Sequence, residues 1–432
     1  MNKNEKMTLV PNLRFPEFGS AGEWQVSKLD EIAGRLTEKV GDRQLTTLSI
    51  SAGVGFVSQA EKFSRDISGK QYENYIFLKK GDFSYNKGNS KKFPQGCIYE
   101  LKEYDEAAVP NAFISFRFYE NYVSSFYKGY FENNFHGKQL KKFITSGARS
   151  DGLLNINPSD FFSIILPTPR KKEEQQKIAD CLSSLDDLIT AEGKKLEALR
   201  AHKKGLMQKL FPAEGKTLPE CRFPEYRNGG QWKIKSLGSK AIKVGSGATP
   251  LGGEANYKNS GRPFIRSQNV GWGYLILDNI AYIDEATHQD SISTEVHSGD
   301  MLLNITGASI GRCAVADYRV TGGNVNQHVC IIRTKVDELS PWFLNQYLLS
   351  VYGQKQIESF QAGGNRQGLN FAQIRSFSVP IPSIIEEQYR IADCLTSLDD
   401  LIAAQTKKID TYNEHKKGLM QGLFPSIEEV GE

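Results

Sequence analysis

The chain has 432 residues, 39% hydrophobic and 24% charged, with a formal net charge of +4; this is a globular composition with room for two or three domains. No apolar run reaches the roughly 18 residues of a membrane span, the opening "MNKNEKMTLVPNLRF" has no apolar signal region, and six scattered cysteines form no CxxC pair, so a cytoplasmic protein with reduced thiols is expected. Residues 1–170 carry +4, residues 213–382 carry +3 and the stretch from 383 carries −5, an imbalance too small to establish a polyanion partner.

In chain order, the first signature is an opener, "LRFPEF…EW", from Leu13. A block follows in which apolar runs such as "YIFL" and "AFISFRF" alternate with Gly/Asn/Ser turns, the pattern of a mixed α/β globule. "LPTP" at Leu166 closes it. Residues 171–211 then contain no proline, and Glu173 and Glu174 stand where a helix dipole favours acid. Ile178, Leu182, Leu185, Ile189, Leu196, Leu199 and Leu206 keep a 4-3 spacing, broken at Glu192 and Lys203. That is a helix with an a/d seam, and about 39 residues of it span roughly 58 Å.

The plan then repeats. A second opener, "CRFPEY…QW", starts at Cys221 and leads into a block ending in "VPIP" at Val379. Residues 386–425 match 173–212 at 27 of 40 positions, including "IADCLTSLDDLI" and "HKKGLMQGLFP". The second seam is Ile391, Leu395, Leu398, Ile402, Ile409, Tyr412 and Leu419, broken at Gln405 and Lys416. The segments are therefore 1–170, 171–212, 213–383, 384–425 and a tail, 426–432. Antiparallel pairing about Glu192 and Gln405 would set Ile178 opposite Leu419 and Leu206 opposite Ile391. The two blocks themselves diverge, keeping only echoes such as "KKGDFSYNKGNS" against "HSGDMLLNITGAS". A near-identical frame used twice suits one partner bound twice; two unlike blocks suit two different targets.

Two variable blocks, each followed by "EEQ..IAD.L..LD.LI" and "KKGLMQ.LFP", resemble the specificity subunit of bacterial type I restriction–modification enzymes. The resemblance implies two pseudo-two-fold-related mixed α/β target-recognition domains separated by two long antiparallel coiled-coil helices. It implies that each domain reads one half of a split sequence in double-stranded DNA. It further implies that the helices act as a spacer and dock two methyltransferase (modification) subunits, which restriction/translocase subunits join. S-adenosylmethionine, ATP and magnesium would then belong to those partners, with no cofactor and no catalytic residue in this chain. Two other readings stay open at this point: a coiled-coil scaffold without DNA specificity, and a single-chain restriction endonuclease.

The residues offer no catalytic motif of their own. "EGKT" at Glu214 lacks the earlier glycine of a phosphate loop, because that position is Leu210. The six histidines show no metal-ligand spacing. Candidate DNA contacts are instead polar and basic loops, where Lys and Arg hold phosphates and amides read base edges. In the first block these are Tyr85, Asn86, Lys87, Asn89, Ser90, Lys91 and Lys92, then Lys141, Lys142, Arg149 and Ser150. In the second they are Arg266, Ser267, Gln268 and Asn269, then Asn304, Thr306 and Ser309, then Arg366, Gln367 and Asn370. Asn326, Gln327 and His328 run straight into an apolar strand and are expected to make structural hydrogen bonds.

Overall fold

The opener residues take their meaning from one buried carboxylate in each half. Glu174 is the third residue of the first long helix, Lys172–Leu210, and is 1% exposed. Arg14 grips it with two bonds of 2.7 and 2.8 Å, and Trp24 Nε1 donates to it at 3.1 Å. Glu387 holds the same place in the second long helix, Ile385–Leu423, where Arg222 donates two bonds of 2.7 Å. The next residue is a second clamp. Gln175 accepts from Val123 N and donates to Pro169 O; Gln388 accepts from Ser340 N and donates to Glu338 O. The repeated "EEQ" thus fastens each helix start to an opener and to a variable block.

These contacts come from a computed structural model that describes residues 9–88, 93–144, 154–361 and 368–425. The chain divides into two compact units, Met1–Ala191 with Ile409–Glu432, and Glu192–Lys408. Each unit contains part of each long helix. Among the described residues no helix is long and apolar enough to cross a membrane.

Both units are built alike. The residues after the opener tryptophan form a strand, Gln25–Lys28 or Lys233–Ser236, which pairs antiparallel with the proline-bearing strand Ile165–Thr168 or Ser378–Ile381. Among the described residues these sheets have two strands each, so Pro167 and Pro380 interrupt no central ladder. The main sheet of the first unit runs in the order Ala33–Arg35, Ile114–Phe118, Phe83–Asn86, Cys97–Glu100; that of the second runs Ala241–Ser246, Val329–Thr334, Met301–Asn304, Cys313–Val315. In each, the two central strands are joined by an ion pair, Asp82–Arg117 or Asp300–Arg333, with bonds of 2.6–2.8 Å. The shared "GD" echo follows from this. Gly81 and Gly299 turn the chain at φ +88° and +84°, which glycine tolerates, and the aspartate anchors the arginine.

The "LMQ.LFP" ends of the long helices are core residues. Met420, Leu423 and Phe424 are buried in the first unit, with Phe424 4.7 Å from Tyr130 and 5.3 Å from Phe126. Met207, Leu210 and Phe211 are buried in the second, with Phe211 5.5 Å from both Phe343 and Tyr347. Burying each such side chain contributes about 1.5–3 kcal/mol. The openers also supply donors to the otherwise open helix ends: Leu13 N donates to Gly422 O and Cys221 N to Lys209 O, both at 2.8 Å.

Candidate nucleic-acid interface

The long helices run antiparallel within each unit. In the first, Ile178 and Leu182 share a cluster with Leu419, Met420 and Leu423; in the second, Leu206 and Met207 share one with Ile391 and Leu395. Leu196 is buried, whereas Leu185, Ile189, Leu199, Leu398, Ile402, Ile409 and Tyr412 are half-buried. Gln405 Nε2 donates to Glu192 Oε2 at 2.6 Å. The other two interruptions of the seam also find partners: Lys203 binds Asp399 and Lys416 binds Asp186, at 2.5 and 2.6 Å. These polar seam residues therefore meet complementary groups, which fixes register at some cost in stability.

Several sequence candidates are structural. Tyr85 is fully buried, stacks on Phe161 at 4.7 Å and donates its hydroxyl to Gln95 O, so it cannot reach a duplex. Burial also pushes its phenol above the usual range. Asn86 holds the backbone N–H of Gly88, and the Lys87 carbonyl accepts from Leu154 N. Asn269 is 1% exposed and bonds Arg266 N and Ile276 O. Asn304 is fully buried and donates to Ser267 O. Arg266 lies 5.2 Å from the centre of the Tyr257 ring and donates to Asn279 O and Glu254, so it straps its own loop. Asn370 caps the helix Phe371–Ser376 by accepting from Gln373 N. At Asn86, Asn269, Asn304 and Asn370 the short amide that can read a base instead satisfies nearby backbone. Asn89, Ser90, Lys91, Lys92, Arg149, Ser150, Arg366 and Gln367 lie outside the described residues.

Other candidates are brought together at one edge of the second unit. The last pair in register between the central strands is Asn304 with Val329. Just beyond it, Thr306 Oγ1 lies 2.6 Å from His328 Nδ1. Ser267 reaches this edge through the Asn304 amide, and exposed Gln268 follows it. Gln327 is exposed and bonds Thr249, while Ser309 is half-buried. Asn326 is structural, accepting from His328 N, but its two neighbours face outward more than their strand-flanking position implied. The pairing register shows why: the strand starts at Val329, so His328 lies one residue before it, outside the sheet. In the first unit, Lys141 and Lys142 are exposed on a short turn, Lys141–Phe143. Among the described residues, no group of three or more His, Cys, Asp or Glu could hold a metal ion.

The family model for the type I restriction modification DNA specificity domain matches twice, over residues 22–201 and 230–412. The chain is 26% identical over 309 residues to a putative type I restriction enzyme MjaX specificity subunit of Methanocaldococcus jannaschii, covering 71% of this chain and 68% of that one. It is also 26% identical over 297 residues to the MjaVIII specificity subunit of the same organism, covering 67% and 68%. In fold it is similar to the type I restriction–modification S subunit from M. genitalium, with a TM-score of 0.60 at 16% identity over 97% of this chain and all of that one. A chain from a structural study of type I system assembly and conformational transition gives a TM-score of 0.52 at 16% identity, over 93% and 98%. With both halves matched and the mixed α/β units and paired helices in place, the chain belongs to the type I restriction–modification DNA-specificity family.

Proposed function

We propose that this chain is the sequence-reading subunit of a cytoplasmic type I restriction–modification complex. Each recognition domain reads one half of a bipartite, asymmetric duplex target. The paired helices set the spacer between half-sites and dock two methyltransferase subunits, to which restriction/translocase subunits add. The chain contributes no chemistry of its own; S-adenosylmethionine, ATP and magnesium act on the partner subunits.

The observation that carries this reading is one scaffold built twice and tipped differently. Register places Phe83 opposite Phe116 as it places Met301 opposite Ile332, and the same Asp–Arg pair locks both sheets. Past the strand ends, however, the first unit has Gly88 and Ala112 where the second has Thr306 and His328. A constant frame with unlike tips suits two different half-targets read through base edges. A protein scaffold binding one partner twice would have no need of that difference.

The test is selection of bound duplexes from a random library by the full chain together with its modification subunits. Two unlike short motifs at a fixed spacing are expected. A palindrome, or no enrichment at any salt, would overturn the reading, and magnesium-dependent cleavage by the chain alone would favour the endonuclease. Lys141→Ala and Lys142→Ala should weaken binding to all sequences equally and lower the salt slope by about one unit each. A changed base preference in either variant would mean that these lysines touch bases rather than phosphates.

A further inference from the structure

The second unit contains two histidines with opposite environments. His288 is 1% exposed, and its Nδ1 lies 2.7 Å from Asn324 Oδ1, inside a network that also holds Ser291 and Thr294. That is a core histidine. His328 is half-buried at the open end of the main sheet, with Nδ1 on the Thr306 hydroxyl and no described residue bonded to Nε2. Its backbone is tied on both sides: His328 N donates to Asn326 Oδ1 and Ile305 N donates to His328 O. Thr306 is fixed in turn, because Leu369 N bonds Ile305 O and Thr306 bridges to Gly368.

We infer that His328, oriented by Thr306, is a specificity-determining residue that reads one base edge in the half-target of the second recognition domain. The inference rests on the proposed DNA-reading function and adds a residue to it. The hydroxyl fixes the ring plane, and the direction of its bond sets the tautomer. If Thr306 donates to Nδ1, Nε2 carries the proton and suits a purine N7 or guanine O6. If Nδ1 donates to Thr306, Nε2 is an acceptor and suits the amino group of adenine or cytosine. Either way a group held by a neighbour and by its own backbone loses little freedom on binding. Other groups already make folding contacts at this edge: buried Asn304 ties its strand end to Ser267, and buried Asn269 and Asn326 each hold their own loop. The first unit builds the same strand pair with Gly88 and Ala112 at these places, so the scaffold forms without them. His328 acts on the base, whereas Thr306 is a positioning residue.

The experiment is site selection with the full chain and its modification subunits, comparing wild type with His328→Ala, His328→Asn, Thr306→Val and Thr306→Ser. His328→Ala should lose preference at one base pair of one half-target by about 5- to 150-fold, the range of a good base contact. The other half-target and the salt slope should not change. His328→Asn should change the base preferred at that pair. Thr306→Val should blur the same base pair, and Thr306→Ser, which keeps the hydroxyl, should restore it; a merely structural threonine would change affinity for all sequences alike. Unchanged preference in His328→Ala, or a uniform loss over all sequences, overturns the inference. Absence of a bipartite site in wild type overturns the DNA-reading function on which it rests, a separate outcome visible before any variant is compared.

Discussion

Glu387→Ala is expected to destabilise the second unit by about 3–5 kcal/mol, because it leaves a buried guanidinium without its counter-ion. The side chains of Arg222 and Glu387 are 9% and 0% exposed, and the pair is bidentate. Arg222 would keep only its bond to Gly230 O. Glu174→Ala should cost the first unit at least as much, since Trp24 Nε1 also donates to Glu174, whereas Trp232 Nε1 has no partner among the described residues. The paired change Arg222→Met with Glu387→Leu should be far milder than either single change, because it removes both charges from a dry site. Unit-resolved amide exchange is the right measurement, as a two-unit chain need not unfold in one step. A loss below about 1 kcal/mol for Glu387→Ala would place this pair with ordinary surface ion pairs.

How much was legible in the sequence follows from what kind of signal each feature leaves. The long helices were readable because their 4-3 spacing and missing prolines are local and repeat over four heptads. The partners of their polar interruptions were readable only in part: the symmetry of the repeat brings Glu192 to Gln405, but nothing local announces Asp399 beneath Lys203. The roles of "EEQ" and of the opener arginine were hidden because Arg14 and Glu174 are 160 residues apart. Among the candidate DNA contacts, residue type misled. Asn269, Asn304 and Asn370 look like base readers, yet the same amide satisfies backbone groups in turns and helix caps. Tyr85 alternates correctly for a strand, but the helix carrying Phe161 covers its face. His328 borders an apolar strand in the sequence, which points to a structural role; only the register with Asn304 shows that it lies beyond the sheet end.

Acidification should destabilise the first unit through His136. This ring is 2% exposed, edge-on to Tyr85 and Phe131 at 6.2 and 6.0 Å, and neither nitrogen has a hydrogen-bond partner of good geometry. Burial lowers its pKa to about 4, an effect the nearby Gly96 backbone offsets only in part. The folded protein therefore keeps the ring neutral while the unfolded chain takes up a proton below about 6.5. Between those two values the unfolded state binds more protons, so stability rises with pH. It is fully present above about 6.5 and is lost as pH falls toward 4, by roughly 3 kcal/mol in all. Below 4 both states are protonated and the loss stops growing. Glu100, whose carboxyl is raised by burial, works in the opposite direction, because acid favours its folded form. That contribution is common to wild type and variant and cancels in their difference. His136→Phe keeps a ring among Tyr85, Phe131 and their neighbours and removes the titration; His136→Leu serves if the phenyl ring overpacks the site. The stability difference between variant and wild type should be flat from pH 8 to 7, widen steadily from about 6.5, and level off near 4. A difference that stays constant across that range would show that the ring takes up its proton at the same pH in the folded unit as in the unfolded chain.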